Sequence, residues 1–149
     1  MEIHNRKAHY NFEFIEYHTA GIVLTGTEIK SIRHGHVNIN DAFCYIDLND
    51  EVWMKNSFIA KYENGTHYNH NENRERKLLL TKKEIRSLKK DVETPGITII
   101  PAKLFIDENG LCKIVLVLAK GKKTFDKRET IKRREAEREM QSATKRMLQ

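Results

Sequence analysis

Several residue types and patterns that mark common protein classes are scarce in this 149-residue chain. It has two cysteines, Cys44 and Cys112, too far apart and too isolated for a disulfide framework or a cysteine-ligated zinc site. The longest apolar run, Ile114 to Ala119, has six residues, far short of the ~20 that a membrane-spanning helix needs. The N-terminus has no apolar signal segment. We therefore expect a cytoplasmic protein whose thiols stay reduced.

Signatures of catalysis are also missing. The chain has neither a Gly-rich phosphate loop nor a G-x-S-x-G nucleophile turn. Two of its seven histidines, His67 and His70, lie three positions apart in a polar stretch and are the best candidates for a metal site or an acid–base pair. No neighbouring Cys or acidic set completes a zinc spacing. We expect a protein that is not an enzyme and holds no metal or cofactor, with a nuclease as the competing hypothesis.

Positive charge is concentrated at the C-terminal end. Residues 1–118 hold 16 Lys and Arg against 16 Asp and Glu, whereas residues 119–149 hold 11 against 5. The whole formal excess of +6 therefore lies after residue 118. Apolar residues number 50 in the first part and 8 in the second, so only the first can build a core. This pattern predicts a globular domain at 1–118 and a basic tail at 119–149, and such tails usually bind phosphate.

Alternation of apolar and polar residues predicts a mainly β domain. A turn at Ala20-Gly21 is expected to separate the first two strands, and Pro101 predicts a bulge or an edge. We expect about six short strands, near residues 10–14, 22–24, 39–48, 51–54, 97–106 and 111–118, with a short buried run at 78–80. The fold class that fits is a closed antiparallel OB-like β-barrel with two or three short helices. An open α+β sandwich is the alternative.

Local signals place the helices. One is expected from Thr27 to Arg33 and ends at Gly35, and a second begins at the capping box of Thr81 and Glu84. In the tail, Asp126 resembles a helix cap and nothing after it breaks a helix. The apolar stripe of that segment is too thin to hold it on the domain. We therefore predict a tail that is disordered when free and helical when a polyanion surrounds it.

Basic and aromatic residues cluster at several points of the domain. Guanidinium groups suit phosphate, and aromatic faces stack unpaired bases, so these clusters are candidate RNA contacts. They lie around Arg6 and Lys7, at Lys30 and Arg33, and around Arg76. Taken one at a time, each cluster is equally compatible with a solvated surface.

Four separated stretches resemble the SmpB family of bacterial SsrA-binding proteins. They are Asn5-Arg6-Lys7-Ala8, AGIVLTGTEIKSIRHG at 20–35, RERKLLL at 74–80 and AKGKKTFDKRETIKRRE at 119–135, in the family's order. The resemblance extends over essentially the whole chain. It implies an oval antiparallel barrel of OB-like topology with a flexible C-terminal tail.

The resemblance also implies a function. Members of this family are RNA-binding adaptors of trans-translation, which bind the tRNA-like domain of transfer-messenger RNA and deliver it to stalled ribosomes. The tail would probe the empty mRNA channel and the decoding centre, where it folds as a helix. Elongation factor Tu and alanyl-tRNA synthetase would be met through the shared RNA, and no membrane is involved. A general RNA-binding or ribosomal protein with a basic extension is the competing hypothesis.

The resemblance and the basic clusters together assign site residues. Phe125 stands where the family has a histidine or tyrosine that stacks on a base, and Gly121 falls at the family's hinge glycine. Predicted RNA contacts in the domain are Asn5, Arg6, Lys7, Phe12, Lys30, Arg33, Arg76, Lys77, Leu79 and Lys113. Predicted ribosome contacts in the tail are Lys120, Gly121, Lys122, Lys123, Phe125, Asp126, Lys127, Arg128, Lys132, Arg133 and Arg134.

Overall fold

Strands dominate the part of the chain that the structure, a computed structural model, describes, residues 1–64 and 69–122. The strands are β1 Glu2–His4, β2 Phe12–Ile22, β3 Val37–Asn38, β4 Phe43–Ile46, β5 Val52–Lys55, β6 Phe58–Ile59, β7 Arg76–Leu79, β8 Ile97–Ile106 and β9 Cys112–Gly121. The helices are α1 Arg6–Asn11, α2 Gly26–Arg33 and α3 Lys82–Asp91. The predicted mainly β fold with short helices is confirmed.

Seven of these strands form one antiparallel sheet. Its order is β1-β8-β4-β5-β7-β2-β9, and β8 pairs with β9 as well. Each of β2, β4, β5, β7, β8 and β9 therefore has a paired strand on both sides. β3 and β6 pair separately. The predicted bulge at Pro101 is present, since the β8–β9 register shifts between Pro101 and Lys103.

The two longest-paired strands, β8 and β9, are buried on both faces. On one face, Ile99 and Leu116 belong to the main core, and on the other Ile100 and Val117 pack with Ala8 of α1. Burying an aliphatic side chain of this size contributes about 1.5–3 kcal/mol. The main core and this smaller cluster hold the sheet and α1 together.

The C-terminal ends of helices α2 and α3 lie near opposite ends of β8. Arg33, the last residue of α2, approaches the turn after β8, since a Cβ on Gly110 would lie 3.8 Å from its Nη2. Lys89 of α3 instead lines a cavity of about 370 Å³ with Ile97 and Ile99, at the beginning of β8. Both helices start with capping boxes, Thr25 with Glu28 and Thr81 with Glu84, the second as predicted. Gly35 ends α2 with a φ of 76°.

The structure corrects three expectations about the fold. Tyr10, which the alternation had placed in the first strand, belongs to helix α1, and the strand begins only at Phe12. β2 continues through Ala20-Gly21 without a turn, because both residues pair with β9. β9 continues beyond residue 118 to Gly121, and Ala119 is buried. The expected boundary between domain and tail therefore falls inside a strand.

Candidate nucleic-acid interface

The first group of predicted contacts gathers where the chain enters β2 and leaves β9. Phe12 is the register partner of Gly121, and the Lys122 amide donates to the Asn11 carbonyl at 2.9 Å. Arg6 and Lys7 on α1 are exposed, as are Lys120 and Lys122. Lys7 also pairs with Asp41, with 2.6 Å between Nζ and Oδ1. The start of the predicted tail is thus held beside the basic N-terminal segment.

A second group lies on the outer face of the sheet, centred on Gly21. Gly21 is the register partner of both Leu79 in β7 and Lys113 in β9, so the three residues lie side by side. Lys77, two positions before Leu79, is on the same face of β7. Lys113 Nζ is 3.6 Å from Asp107 Oδ2, a partly exposed ion pair of the kind that contributes little and that a phosphate can replace.

Leu79 rests directly on Gly21. A Cβ at Gly21 would lie 3.4 Å from Leu79 Cβ, and Leu79 is still 52% exposed. The absent side chain therefore lets a leucine lie flat between Lys77 and Lys113. Such a surface offers apolar contact to a sugar or base with cations on either side.

Replacing Leu79 with alanine tests this surface. We expect RNA affinity to fall about fivefold, since roughly half a leucine side chain, about 1 kcal/mol, would lose its burial under RNA. The unfolding free energy should change little, because the side chain is largely exposed in the free protein. Leu48→Ala, at a fully exposed leucine, is the matched control. Equal RNA affinities for both variants would contradict the assignment.

A third group lies on α2. Lys30 and Arg33 are exposed, as predicted for its outer face. Lys30 Nζ lies 5.4 Å from the centre of the Tyr62 ring, and the His34 ring lies 6.1 Å from Tyr62 at an interplanar angle of 17°. Sequence reasoning did not place Tyr62 here, because it comes from the segment after β6.

Arg76 is not on the surface, which corrects its predicted role as a direct RNA contact. Its side chain is 0% exposed. The Nε donates to Glu28 Oε2 at 2.7 Å, and Nη1 donates to Ser57 Oγ at 2.9 Å. Nη2 donates to the Glu72 carbonyl at 3.1 Å. Arg76 therefore fixes the beginning of β7, and Lys77 and Leu79 follow it on that strand.

Glu28 is the buried carboxylate that sequence reasoning missed. It accepts hydrogen bonds from Arg76, from Arg74 and from the Thr25 amide. Burial by itself would raise the pKa of Glu28, but the bonds from Arg74, Thr25 and Arg76 outweigh it and hold the pKa below its ordinary value. The T-x-x-E spacing of Thr25 and Glu28 is the signature of a capping box and could have marked Glu28, but nothing in the sequence ties that box to Arg76.

Asn5 is also buried, which corrects the expectation that it hydrogen-bonds RNA. Its Oδ1 accepts from the Ala8 amide at 2.9 Å and so caps α1. Its Nδ2 donates to the Pro101 carbonyl at 2.8 Å, at the bulge of β8. Both ends of the amide are thus used inside the protein. Asn5 positions α1, which carries Arg6 and Lys7.

Replacing Asn5 with alanine is expected to destabilise the domain by about 2–4 kcal/mol. The variant loses a helix cap, worth about 1 kcal/mol, and leaves the Pro101 carbonyl buried without its partner, at about 1–3 kcal/mol. Urea unfolding measures the change. The control is Asn38→Ala, which removes a similar bond, Asn40 amide to Asn38 Oδ1, from an exposed site. A variant that keeps full stability and loses RNA affinity would restore Asn5 as a contact.

The histidine hypothesis finds little support in the described residues. His70 is buried, its Nε2 donates to the Ile59 carbonyl at 2.9 Å, and its Nδ1 accepts from the Thr27 hydroxyl at 2.9 Å. Within residues 1–64 and 69–122, no three metal-binding side chains come together. His67 lies outside the described residues. Both cysteines are buried and unpaired, and burial raises the pKa of Cys112 to about 12.

The remaining predicted contacts belong to the tail. Lys120, Gly121 and Lys122 end the described part of the chain. The other predicted tail contacts lie outside the described residues: Lys123, Phe125, Asp126, Lys127, Arg128, Lys132, Arg133 and Arg134.

An antiparallel β domain with three separate groups of exposed cations is typical of small nucleic-acid-binding proteins. The comparison with known families is more specific. The family model described as "SmpB protein" matches residues 2–146. This chain belongs to the SmpB family.

Curated relatives agree over nearly the whole chain. A protein of Phocaeicola vulgatus named SsrA-binding protein is 52% identical over 146 residues, covering 98% of this chain and 97% of the relative. Its namesake in Parabacteroides distasonis is 51% identical, with coverage of 98% and 95%. The namesake in Ligilactobacillus salivarius is 48% identical, with coverage of 95% and 90%.

A solved structure is also similar. It is a chain of the structure described as "tmRNA-SmpB: a journey to the center of the bacterial ribosome", with a TM-score of 0.70 at 41% identity. The match covers 83% of this chain and 85% of the other. In the described part of this chain, every helix is too short or too polar to cross a membrane.

Proposed function

We propose that this chain is an RNA-binding adaptor of trans-translation. It binds the tRNA-like domain of transfer-messenger RNA and delivers that RNA to ribosomes stalled in the cytoplasm, and it performs no catalysis itself. The observation that carries this proposal is family membership along residues 2–146. The relatives' name and the likeness to an SmpB chain studied with transfer-messenger RNA on the ribosome support it.

The strand pairings support an OB-like barrel as the scaffold. Because β8 pairs with β4 as well as β9, the pairings form a ring through β8, β4, β5, β7, β2 and β9. A ring of paired strands presents its outward side chains on a rigid, continuous wall. The group around Gly21 and Leu79 lies on this wall, and small closed barrels commonly bind RNA in this way.

Residues on the surface of the domain make the contacts with the tRNA-like domain. Lys77, Leu79 and Lys113 form the surface that meets the RNA, with Arg6, Lys7, Phe12, Lys30 and Arg33 as further contacts. Their charges neutralise phosphates, and the resulting release of counterions favours binding. Asn5 and Arg76 contribute indirectly. They hold α1 and β7, and so fix where the contacting side chains lie.

The tail contacts ribosomal RNA. Its basic residues, from Lys120 to Arg134, are suited to phosphates along the mRNA channel, and Phe125 offers a ring to a base of the decoding centre. Gly121, the predicted hinge, pairs with Phe12 in the sheet, and Lys122 bonds to Asn11 of α1, which supports a tail that leaves the domain at a fixed point after Lys122. Elongation factor Tu and alanyl-tRNA synthetase act on the shared RNA, so the adaptor meets them through it.

A reconstituted translation reaction tests the proposal. Ribosomes are stalled on a message without a stop codon and supplied with alanylated transfer-messenger RNA, with and without this chain. We expect tagged peptide only when the chain is present. Tagged peptide formed without the chain, or no tagged peptide formed with it, would contradict the role of an adaptor. A general RNA-binding protein would give no tag while still binding the RNA.

A further inference from the structure

Tyr17 is a large aromatic residue of β2 that belongs to none of the predicted contacts. It is 62% exposed. Its register partner in β9 is Val117, whereas Gly21, four positions later on β2, has Lys113 as its partner. Alternate residues of a strand share a face, so Tyr17 lies on the outer face of the sheet, with Leu79 and Lys113. An exposed tyrosine is therefore part of the face that we assign to RNA.

Other aromatic rings support Tyr17 from the side of helix α1. The Phe14 ring lies 6.2 Å from the Tyr17 ring at an interplanar angle of 85°, and the His9 ring of α1 lies 4.7 Å from Phe14. Phe14 in turn packs against the smaller cluster that contains Ala8 and Val117. An edge-to-face contact engages at most one face of the Tyr17 ring. The ring is thus held in place and keeps a flat face for a second partner.

Tyr17 lies between two groups of predicted contacts. In one direction along β2, four residues, or about 13 Å, separate it from Gly21 and the group that contains Leu79. In the other direction, β2 leads back to Phe12, where the basic N-terminal segment meets the end of β9. An RNA that contacts both groups at once therefore passes over Tyr17.

Lysines flank the ring on the same face of the sheet. Lys103 in β8 is the register partner of Val115, and Phe105 is the register partner of Lys113, so the outer face continues onto β8. Lys103 Nζ lies 3.1 Å from Glu2 Oε1 and 5.4 Å from the centre of the Phe105 ring. Such a partly exposed ion pair contributes little, so a phosphate can replace the carboxylate. A flat ring among cations is the combination that binds unpaired nucleotides.

We propose that an unpaired base of the tRNA-like domain stacks on Tyr17. This inference rests on the proposed function, because it names one way in which the outer face recognises that RNA. Bases inside a duplex already stack on one another, so the base that reaches the ring comes from a loop or a bulge. Lysines alone would bind any phosphate backbone. The ring adds a preference for RNA that presents an unpaired base at this point of the surface.

The test compares three variants of the full chain. Tyr17→Leu removes the ring but keeps an apolar side chain, whereas Tyr17→Phe keeps the ring. Phe58→Leu makes the same kind of change at a ring that is 38% exposed in the separate β3–β6 pair. Each protein is titrated with the isolated tRNA-like domain across a salt series, and also with a fully paired RNA duplex. Urea unfolding verifies that all variants are folded.

We expect Tyr17→Leu to bind the tRNA-like domain about tenfold more weakly at every salt concentration, an effect of the size usual for one stacked base. The slope of log affinity against log salt should stay the same, because no phosphate contact is lost. Tyr17→Phe and Phe58→Leu should bind like the unaltered protein. Affinity for the duplex should be the same for all four proteins.

Three results would overturn the inference. Equal affinities of Tyr17→Leu and Phe58→Leu for the tRNA-like domain would show that the ring takes no part. An equal loss of affinity for the duplex would show that no unpaired base is involved. A loss in Tyr17→Phe as large as that in Tyr17→Leu would assign the effect to the hydroxyl group. If the unaltered protein failed to bind the tRNA-like domain at all, the proposed function itself would fail, and this inference with it.

Discussion

Replacing Arg76 with methionine is expected to destabilise the domain by about 3–5 kcal/mol. The substitution removes one partner of a buried ion pair and leaves Glu28, itself 0% exposed, with an uncompensated share of its charge. It also removes the donors that the Ser57 and Glu72 carbonyls accept from. A loss of this size is a large part of the 5–15 kcal/mol that a small domain usually has. Urea unfolding measures it.

The control for Arg76 is its neighbour Lys77, replaced with methionine as well. Lys77 is half-exposed and its ion pair with Glu51 is 3.2 Å long, so its loss should change stability by less than about 1 kcal/mol. RNA affinity should behave in the opposite way, falling for Lys77→Met even where the protein is fully folded. A stable Arg76→Met variant that binds RNA poorly would show that Arg76 reaches the RNA after all.

The same ion pair predicts how stability depends on pH. The pKa of Glu28 is lower in the folded protein than in the unfolded chain, so the unfolded chain binds a proton more readily. The contribution of Glu28 is therefore complete above about pH 4.5, the ordinary glutamate value, and is lost as the pH falls through the lowered folded pKa. Wild-type stability should decline over that acidic range, and Glu28→Gln should flatten the decline.

Cutting the chain after Lys122 is expected to abolish tagging and to leave binding to the tRNA-like domain within about twofold. Lys122 is the last residue with a described contact to the domain, through its bond to Asn11. The truncated protein keeps every exposed contact on α1, α2 and the outer face of the sheet. It loses Phe125 and most of the basic tail, which the proposal assigns to the ribosome.

A second truncation serves as the control for the first. Cutting after Leu118 removes buried Ala119 together with the pairing of Lys120 and Gly121 to β2. This shorter protein should be less stable and should bind RNA less well, because the start of β2 and α1 lose their neighbour. If the longer truncation lost most of its affinity for the tRNA-like domain, the tail would belong to the RNA-binding surface. If it still supported tagging, the tail would have no role on the ribosome.

Features that depend on neighbouring residues were predictable from the sequence. The capping box at Thr81, the helix end at Gly35 and the bulge at Pro101 each follow from one residue's chemistry, and all are present. The first helix was missed although its cap, the bond from the Ala8 amide to Asn5, is local; the second bond of Asn5, to the Pro101 carbonyl 96 positions away, could not be read from the sequence. The turn at Ala20-Gly21 was wrong, because pairing with β9 outweighs the local turn signal.

The candidate site was harder to predict than the fold. A stretch such as RERK shows that cations are present. Whether each cation contacts RNA or holds the fold together depends on its burial, which the stretch does not show. Arg76 is enclosed by Glu28 and Ser57, which lie 48 and 19 positions away in the chain. The T-x-x-E spacing marks Glu28 as a capping residue, but it does not show that Glu28 also pairs with Arg76. Lys30, Arg33 and Leu79 are exposed in the structure, and their contacts with RNA stay predictions.

The central claim is that residues 1–122 recognise the tRNA-like domain. The most direct test titrates labelled tRNA-like domain with the truncated and the full-length protein, at two salt concentrations, with ordinary tRNA as competitor. The account predicts similar tight binding by both proteins, retained against the competitor and weakened moderately by salt. Binding that needs the tail, collapses in salt and is displaced by any tRNA would contradict it, and would leave a general polyanion binder in its place.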